Sequence, residues 1–191
     1  MTGLAALMIL AATAGAQAGP PKPGQPDCGP TWSPFTQWGD KGSYYSPANG
    51  GFESGADGWT LTGGANVVSG NEPWKVHGAS DSNSLQIPSG GTATTTICIG
   101  QLSPELRFFA VGKAAKITVS LAAPKGPKAP AKLDGGKWTS TGNWNVSPPI
   151  STLLSSLTSK ASGNQVQVTF SVSGGTAQID DLYVDPFALK R

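Results

Sequence analysis

The sequence predicts an all-β protein, an antiparallel β-sandwich of jelly-roll topology with little helix. Three observations carry this expectation. Gly (26) and Pro (16) are abundant in 191 residues of which only 13% are charged, a composition suited to short strands joined by many turns. Strand-like segments recur at short intervals, at 59–61, 65–68, 84–87, 93–99, 106–111, 116–121, 165–172 and 177–184, separated by Gly, Pro, Asn and Ser clusters. Several of them alternate cleanly. Ile117, Val119 and Leu121 share one side, as do Val166, Val168 and Phe170, as expected of antiparallel strands with one face buried. That many strands in a chain of this length imply two packed sheets.

Taken in order, the first eighteen residues carry no charge. An apolar run from Leu4 to Ala12 precedes Ala16-Gln17-Ala18, the pattern of a secretory signal peptide with its cleavage site. The run is shorter than the about 20 residues a spanning helix needs, so a secreted, extracellular chain with no membrane span is expected. Residues 19–27, Gly-Pro-Pro-Lys-Pro-Gly-Gln-Pro-Asp, read as a Pro-rich tether, because Pro removes donors and fixes the backbone. Residues 28–48 hold Trp32, Phe35, Trp38, Tyr44 and Tyr45 without a clear period, an irregular lead-in pinned by aromatic burial. The sandwich domain is expected over residues 49–191. Within it, 124–130 is a Pro-rich excursion. Residues 151–160 are a short helix or loop whose Leu153, Leu154 and Leu157 have the spacing of core cover.

Composition also excludes. The net charge is +2, and the Lys125, Lys128 and Lys132 cluster is interrupted by Pro and Gly and lacks interleaved aromatics, so no nucleic-acid partner is expected. The only two cysteines are Cys28 and Cys98. Export favours their pairing as a disulfide over two free buried thiols, and without a His cluster they make neither a zinc site nor a redox motif.

Two motifs bracket the domain: Asn49-Gly50-Gly51-Phe52-Glu53-Ser54-Gly55 with Gly58-Trp59, and Ile179-Asp180-Asp181-Leu182-Tyr183-Val184. In an unbroken strand Asp180 shares a face with Leu182 and Val184, and Asp181 shares the other with Ile179 and Tyr183. One Asp therefore falls on the buried face. There it needs a cation or several hydrogen-bond donors.

These two motifs resemble the first and last strands of galactose-binding-like jelly rolls, many of which are carbohydrate-binding modules attached to bacterial glycoside hydrolases. The resemblance covers residues 49–186. Together with Gly70-Asn71-Glu72-Pro73-Trp74-Lys75-Val76 and Leu106-Arg107-Phe108-Phe109, it extends to secreted proteins of actinobacteria. It implies a structural calcium joining the opening strand to the closing one through Glu53 and Asp180, with further oxygens from near Asn49, Gly51 and Glu72. The alternative is that both carboxylates accept backbone N–H groups or pair with Lys or Arg.

Sugar recognition uses flat aromatic faces with polar groups beside them, and the chain has six Trp. Trp59 reads as core, and Trp74, after Glu72-Pro73, reads as loop or edge and as a further ligand-binding candidate. Trp138 and Trp144 lie in a polar, Gly-rich stretch beside Asn143 and Asn145, the best candidates for exposed stacking residues. The alternative is that both pack over the sandwich edge.

Catalytic signals are weak. His77 is the only His, no Gly-x-Ser-x-Gly elbow occurs, and no spacing pairs two of Glu53, Asp57, Glu72 and Glu105 across a cleft. Phosphate-loop and dinucleotide fingerprints are likewise missing, and Asn145-Val146-Ser147 is followed by Pro148, a poor glycosylation acceptor. The expectation is a secreted, non-catalytic module that binds a polysaccharide or glycan. A structural or protein-interaction domain of the cell envelope is the alternative and a hydrolase the third reading.

Overall fold

The computed structural model describes residues 26–100, 104–122, 133–152 and 164–187. The expected signal peptide, most of the tether, the Lys-bearing excursion and the Leu153-Leu154-Leu157 segment lie outside the described residues. No helix among those described is long and apolar enough to cross a membrane.

The described strands are β1 (Thr60–Thr62), β2 (Asn66–Ser69), β3 (Asn83–Ile87), β4 (Thr92–Cys98), β5 (Glu105–Gly112), β6 (Ala115–Ala122), β7 (Leu133–Thr139), β8 (Asn145–Val146), β9 (Ile150–Ser151), β10 (Gln165–Gly174) and β11 (Ala177–Asp185). They form two antiparallel sheets, one ordered β1-β4-β10-β6-β7 and the other β2-β3-β11-β5-β8, with β9 also on β5. At β3 to β4, β5 to β6 and β10 to β11 the chain crosses from one sheet to the other, the habit of a jelly roll. All eight expected strands are present, with ends moved by a residue or two. Strands β7, β8 and β9 were not foreseen.

The core lies between the sheets, where the alternation places it. Val166, Val168, Phe170 and Val172 of β10 and Ile117, Val119 and Leu121 of β6 face Leu106, Phe108 and Ala110 of β5 and Ala177, Ile179, Leu182 and Val184 of β11. Burying each such side chain contributes about 1.5–3 kcal/mol before chain entropy is counted. The outer face of the first sheet is hydroxyl-rich, with Thr62 and Thr92 hydrogen-bonded at 2.7 Å and Thr94 and Thr169 at 2.9 Å.

The second sheet is covered on both sides. Phe109 and Tyr183, on its outer face, pack with Phe35 and Tyr44 of the lead-in into a second apolar cluster. A bridge from Trp32 to Tyr44 folds the lead-in on itself, and a bridge from Tyr45 to Val184 and the Cys28–Cys98 disulfide tie it to the sandwich. Tyr45 Oη donates to Cys98 O at 2.8 Å and accepts from Cys98 N at 2.7 Å. Burial pushes the Tyr45 phenol well above its ordinary range, so it serves as a neutral donor.

Strand β11 departs from simple alternation. Asp180 pairs with Phe109 and Tyr183 with Arg107, three steps on β11 against two on β5. This is a β-bulge, one residue inserted, with Asp181 in the left-handed region at φ 48°. The insertion reverses the parity, so Ile179 before it and Leu182 and Val184 after it all enter the inter-sheet core. An unbroken strand would have put one Asp there; the bulge keeps both out.

Candidate functional site

Beyond the bulge, the segment from Glu72 to Asp81 folds over the two aspartates. Asp180 is fully buried, and its Oδ2 accepts from Glu72 N at 3.0 Å while its Oδ1 accepts from Asp181 N at 2.9 Å. Burial and the neighbouring Asp181 charge push its carboxyl up to about 9. Glu72, also buried, caps the following turn by accepting the N–H groups of Trp74 and Val76. That turn swings His77 back toward Asp181, whose Oδ2 accepts from His77 N at 3.2 Å. Burial, with the Glu72 and Asp81 charges, pushes Asp181 up to about 7. Asp81 follows one turn later, its Oδ2 at 3.3 Å from His77 Nδ1. One ligand atom from each of His77, Asp81 and Asp181 can be chosen so that all lie within 4.8 Å of one another. His77 also lines a cleft of about 250 Å³ with Ser46, Asn49, Gly51, Glu53 and Ser54.

The expected calcium pair does not fit this arrangement. Glu53 is exposed and its two oxygens accept four donors, the backbone N–H groups of Ser82 and Asn83 at 2.8 Å and their side chains at 3.1 Å. Those donors occupy the lone pairs a cation would need. Asp180 is held by different donors, and the two carboxylates have no partner in common. Glu53 thus follows the alternative of backbone N–H acceptance. It staples the opening loop to the start of β3, and Asp180 staples β11 to Glu72.

Among the aromatic candidates, Trp138 is a correction. It lies on β7 opposite Ile117, which puts both on the inward face; its side chain is buried, with its ring 6.5 Å from that of Phe108. Gly135 and Gly136 make this stretch read as a loop, yet it pairs with β6 through a register shift between Val119 and Ser120. Trp144 is half-buried against the second apolar cluster, while Asn143 is exposed. Asn145, on β8 opposite Ala110, donates through Nδ2 to Asn143 O at 3.0 Å and to Thr141 Oγ1. These two Asn therefore shape the turn around Trp144.

Trp74 is the one large exposed hydrophobic among the described residues, at 40% exposure. Its ring meets Trp38 edge-on at 5.1 Å and lies 5.5 Å from Phe109 at an interplanar angle of 37°. Trp38, half-buried and itself 5.3 Å from Phe109, is a member of this patch that sequence reasoning assigned only to the lead-in. Trp74, Trp38 and Trp144 all rest on the cluster built around Phe109. Trp59 is core, as expected, its ring 4.9 Å from Phe52.

No protein-family model matches the chain, and no curated protein does. Solved structures do share its fold. It is similar to TmCBM61 in complex with beta-1,4-galactotriose, at 18% identity and a TM-score of 0.51, over 73% of this chain and 96% of that one. It is similar to the enzymatically active domain of bacteriophage CBA120 tailspike protein 4, at 16% identity and TM-score 0.50, over 73% of this chain and 21% of that one. A third match is the CBM22-1-GH10 modules of Clostridium thermocellum Xyn10B complexed with xylohexaose, at 12% identity and TM-score 0.50, over 74% of this chain and 28% of that one. In the last two the chain spans well under half of the matched length. At these identities the likeness is one of fold, a β-sandwich shared with these structures.

Proposed function

We propose that the protein is a secreted, non-catalytic carbohydrate-binding module that takes a polysaccharide or glycan on the aromatic patch at Trp74. The observation that carries this reading is an indole left 40% exposed and held between Trp38 and Phe109. A ring fixed by its neighbours loses little freedom when a pyranose stacks on it. Trp38 and Trp144 extend the apolar surface, and Asn143 supplies an exposed amide beside it. Two proteins of similar fold have structures in complex with galactotriose and xylohexaose, which supports an oligosaccharide as the ligand class. The apolar leader and the disulfide support an extracellular location.

The test is retention of the mature chain on insoluble polysaccharides together with a broad glycan array, read alongside quenching of Trp fluorescence. Binding to at least one glycan that is lost in Trp74→Ala is the expected result. Silence across the array, with a protein partner recovered by crosslinking in the secreted fraction, would reassign the patch to protein interaction.

A further inference from the structure

Two buried carboxylate oxygens and an imidazole nitrogen converge at the bulge. Asp181 is 1% exposed and Asp81 5%, yet Asp181 Oδ1 and Asp81 Oδ2 have no hydrogen-bond donor. A buried carboxylate oxygen without a donor is costly. The surroundings orient these oxygens. Asp181 Oδ2 is engaged by His77 N at 3.2 Å and lies 3.5 Å from Tyr183 Oη, which leaves Oδ1 as the presented atom. His77 Nδ1 lies 3.3 Å from Asp81 Oδ2, and the third wall is Gly51. A Cβ at residue 51 would stand 2.9 Å from Asp181 Oδ1 and 3.4 Å from His77 Nδ1, so the missing side chain leaves open the space on which both atoms border.

We propose that His77 Nδ1, Asp81 Oδ2 and Asp181 Oδ1 form a binding site for a divalent first-row transition metal, zinc foremost. The donor set decides the class. Calcium takes six to eight oxygens, whereas an imidazole nitrogen with two carboxylates suits zinc and its neighbours in the series. Zinc bonds of about 2.0–2.2 Å place tetrahedral ligand atoms roughly 3.3 Å apart, which is the His77–Asp81 separation observed. Asp180 and Glu72 hold the backbone of the ligand-bearing segments through the N–H groups of Glu72, Asp181, Trp74 and Val76, the supporting role that outer carboxylates play at metal centres. Three protein ligands leave one position for water or an incoming oxygen ligand, as in open zinc sites. His77 also lines the cleft beside Asn49, Glu53 and Ser54, so that position has a route to solvent.

The experiment titrates zinc chloride into the chelator-treated mature chain by calorimetry and follows Tm, with calcium chloride and magnesium chloride as parallel arms. One zinc per chain is expected, with a Tm that rises with zinc concentration, as it must for a ligand of the native state alone. Calcium and magnesium produce neither. His77 is exposed, so His77→Ala keeps the fold and weakens zinc by at least about 10-fold. Gly51→Ala does the same by filling the space. Lys116→Ala, exposed on β6 of the other sheet, leaves zinc affinity unchanged. Cobalt(II) in place of zinc develops visible absorption bands that are lost in His77→Ala. The proposal is overturned by absence of zinc heat and Tm shift, by zinc affinity that survives His77→Ala, or by calcium binding as tightly as zinc.

Discussion

Arg107 Nη1 donates to Asp40 Oδ2 at 2.8 Å, and both side chains are about 8% exposed. The pair joins β5 to the lead-in across 67 residues of sequence. Asp40 also accepts from Tyr44 Oη at 2.7 Å and Gly42 N at 2.8 Å. Arg107 donates to Ser147 O through Nε at 2.9 Å and Nη2 at 2.7 Å and stacks over Phe35 at 4.6 Å. Removing one partner of a buried pair leaves the other charge uncompensated and costs about 3–5 kcal/mol. Asp40→Ala is therefore expected to lower unfolding stability by that amount in urea denaturation, while Lys41→Ala, at an exposed neighbouring residue, changes it by less than about 0.5 kcal/mol. A loss below about 1 kcal/mol for Asp40→Ala would mean that the aromatics, the Tyr45–Val184 bridge and the disulfide hold the lead-in without the pair.

The disulfide acts at the other end of the lead-in. Its cysteines are 70 residues apart, and closing a loop of that length stabilises by about 4 kcal/mol on the chain-entropy account. The double variant Cys28→Ser, Cys98→Ser should show that loss as a lower urea midpoint, with an m-value that rises because the unlinked denatured chain is less compact. Reduction of the wild type should reproduce it. A variant as stable as the wild type would show that the closed loop contributes nothing to stability.

Glu53 sets a pH dependence of known sign. Burial acts to raise its pKa, but the N–H groups of Ser82 and Asn83 outweigh this and leave it below its ordinary value of 4.5. A depressed carboxyl contributes stability that is present above the unfolded-state pKa and is lost as pH falls through the folded-state one. The Tm advantage of wild type over Glu53→Gln should hold from pH 7 down to about 4.5 and then shrink. An advantage that persists undiminished at pH 3 would remove the carboxylate's role as a charged acceptor.

Period-two alternation was enough to place β10 and β6, because every second residue there is apolar and no insertion interrupts it. It fails at Asp181, since a left-handed residue in a bulge, rare outside Gly, carries no compositional mark. The two aspartates were legible as a charge problem and not as the bulge that resolves it. Trp138 misleads for a related reason: Gly135 and Gly136 have the composition of a turn, and only pairing with β6 makes the segment a strand. The Arg107–Asp40 pair and the convergence of His77 with Asp181 join residues distant in sequence, and no local pattern announces such a meeting. Trp74 was legible as loop or edge because Pro73 precedes it.

The two tryptophans now separate binding from folding. Trp138 sits in the inter-sheet core at 9% exposure and Trp74 stands at the surface at 40%. Deleting a buried indole leaves a cavity that costs about 3–5 kcal/mol, whereas Trp74→Ala removes a ring whose outer face meets solvent. Trp138→Ala is therefore expected to lower stability by about that amount and, at temperatures where it remains folded, to bind glycan as the wild type does. Trp74→Ala should lose at most about 1–2 kcal/mol from its contacts with Trp38 and Phe109 and abolish retention on the polysaccharide. The check is a urea titration and an affinity-retention assay run on the same two variants. If folded Trp138→Ala loses binding while Trp74→Ala keeps it, recognition lies on β7 rather than on the patch above Phe109.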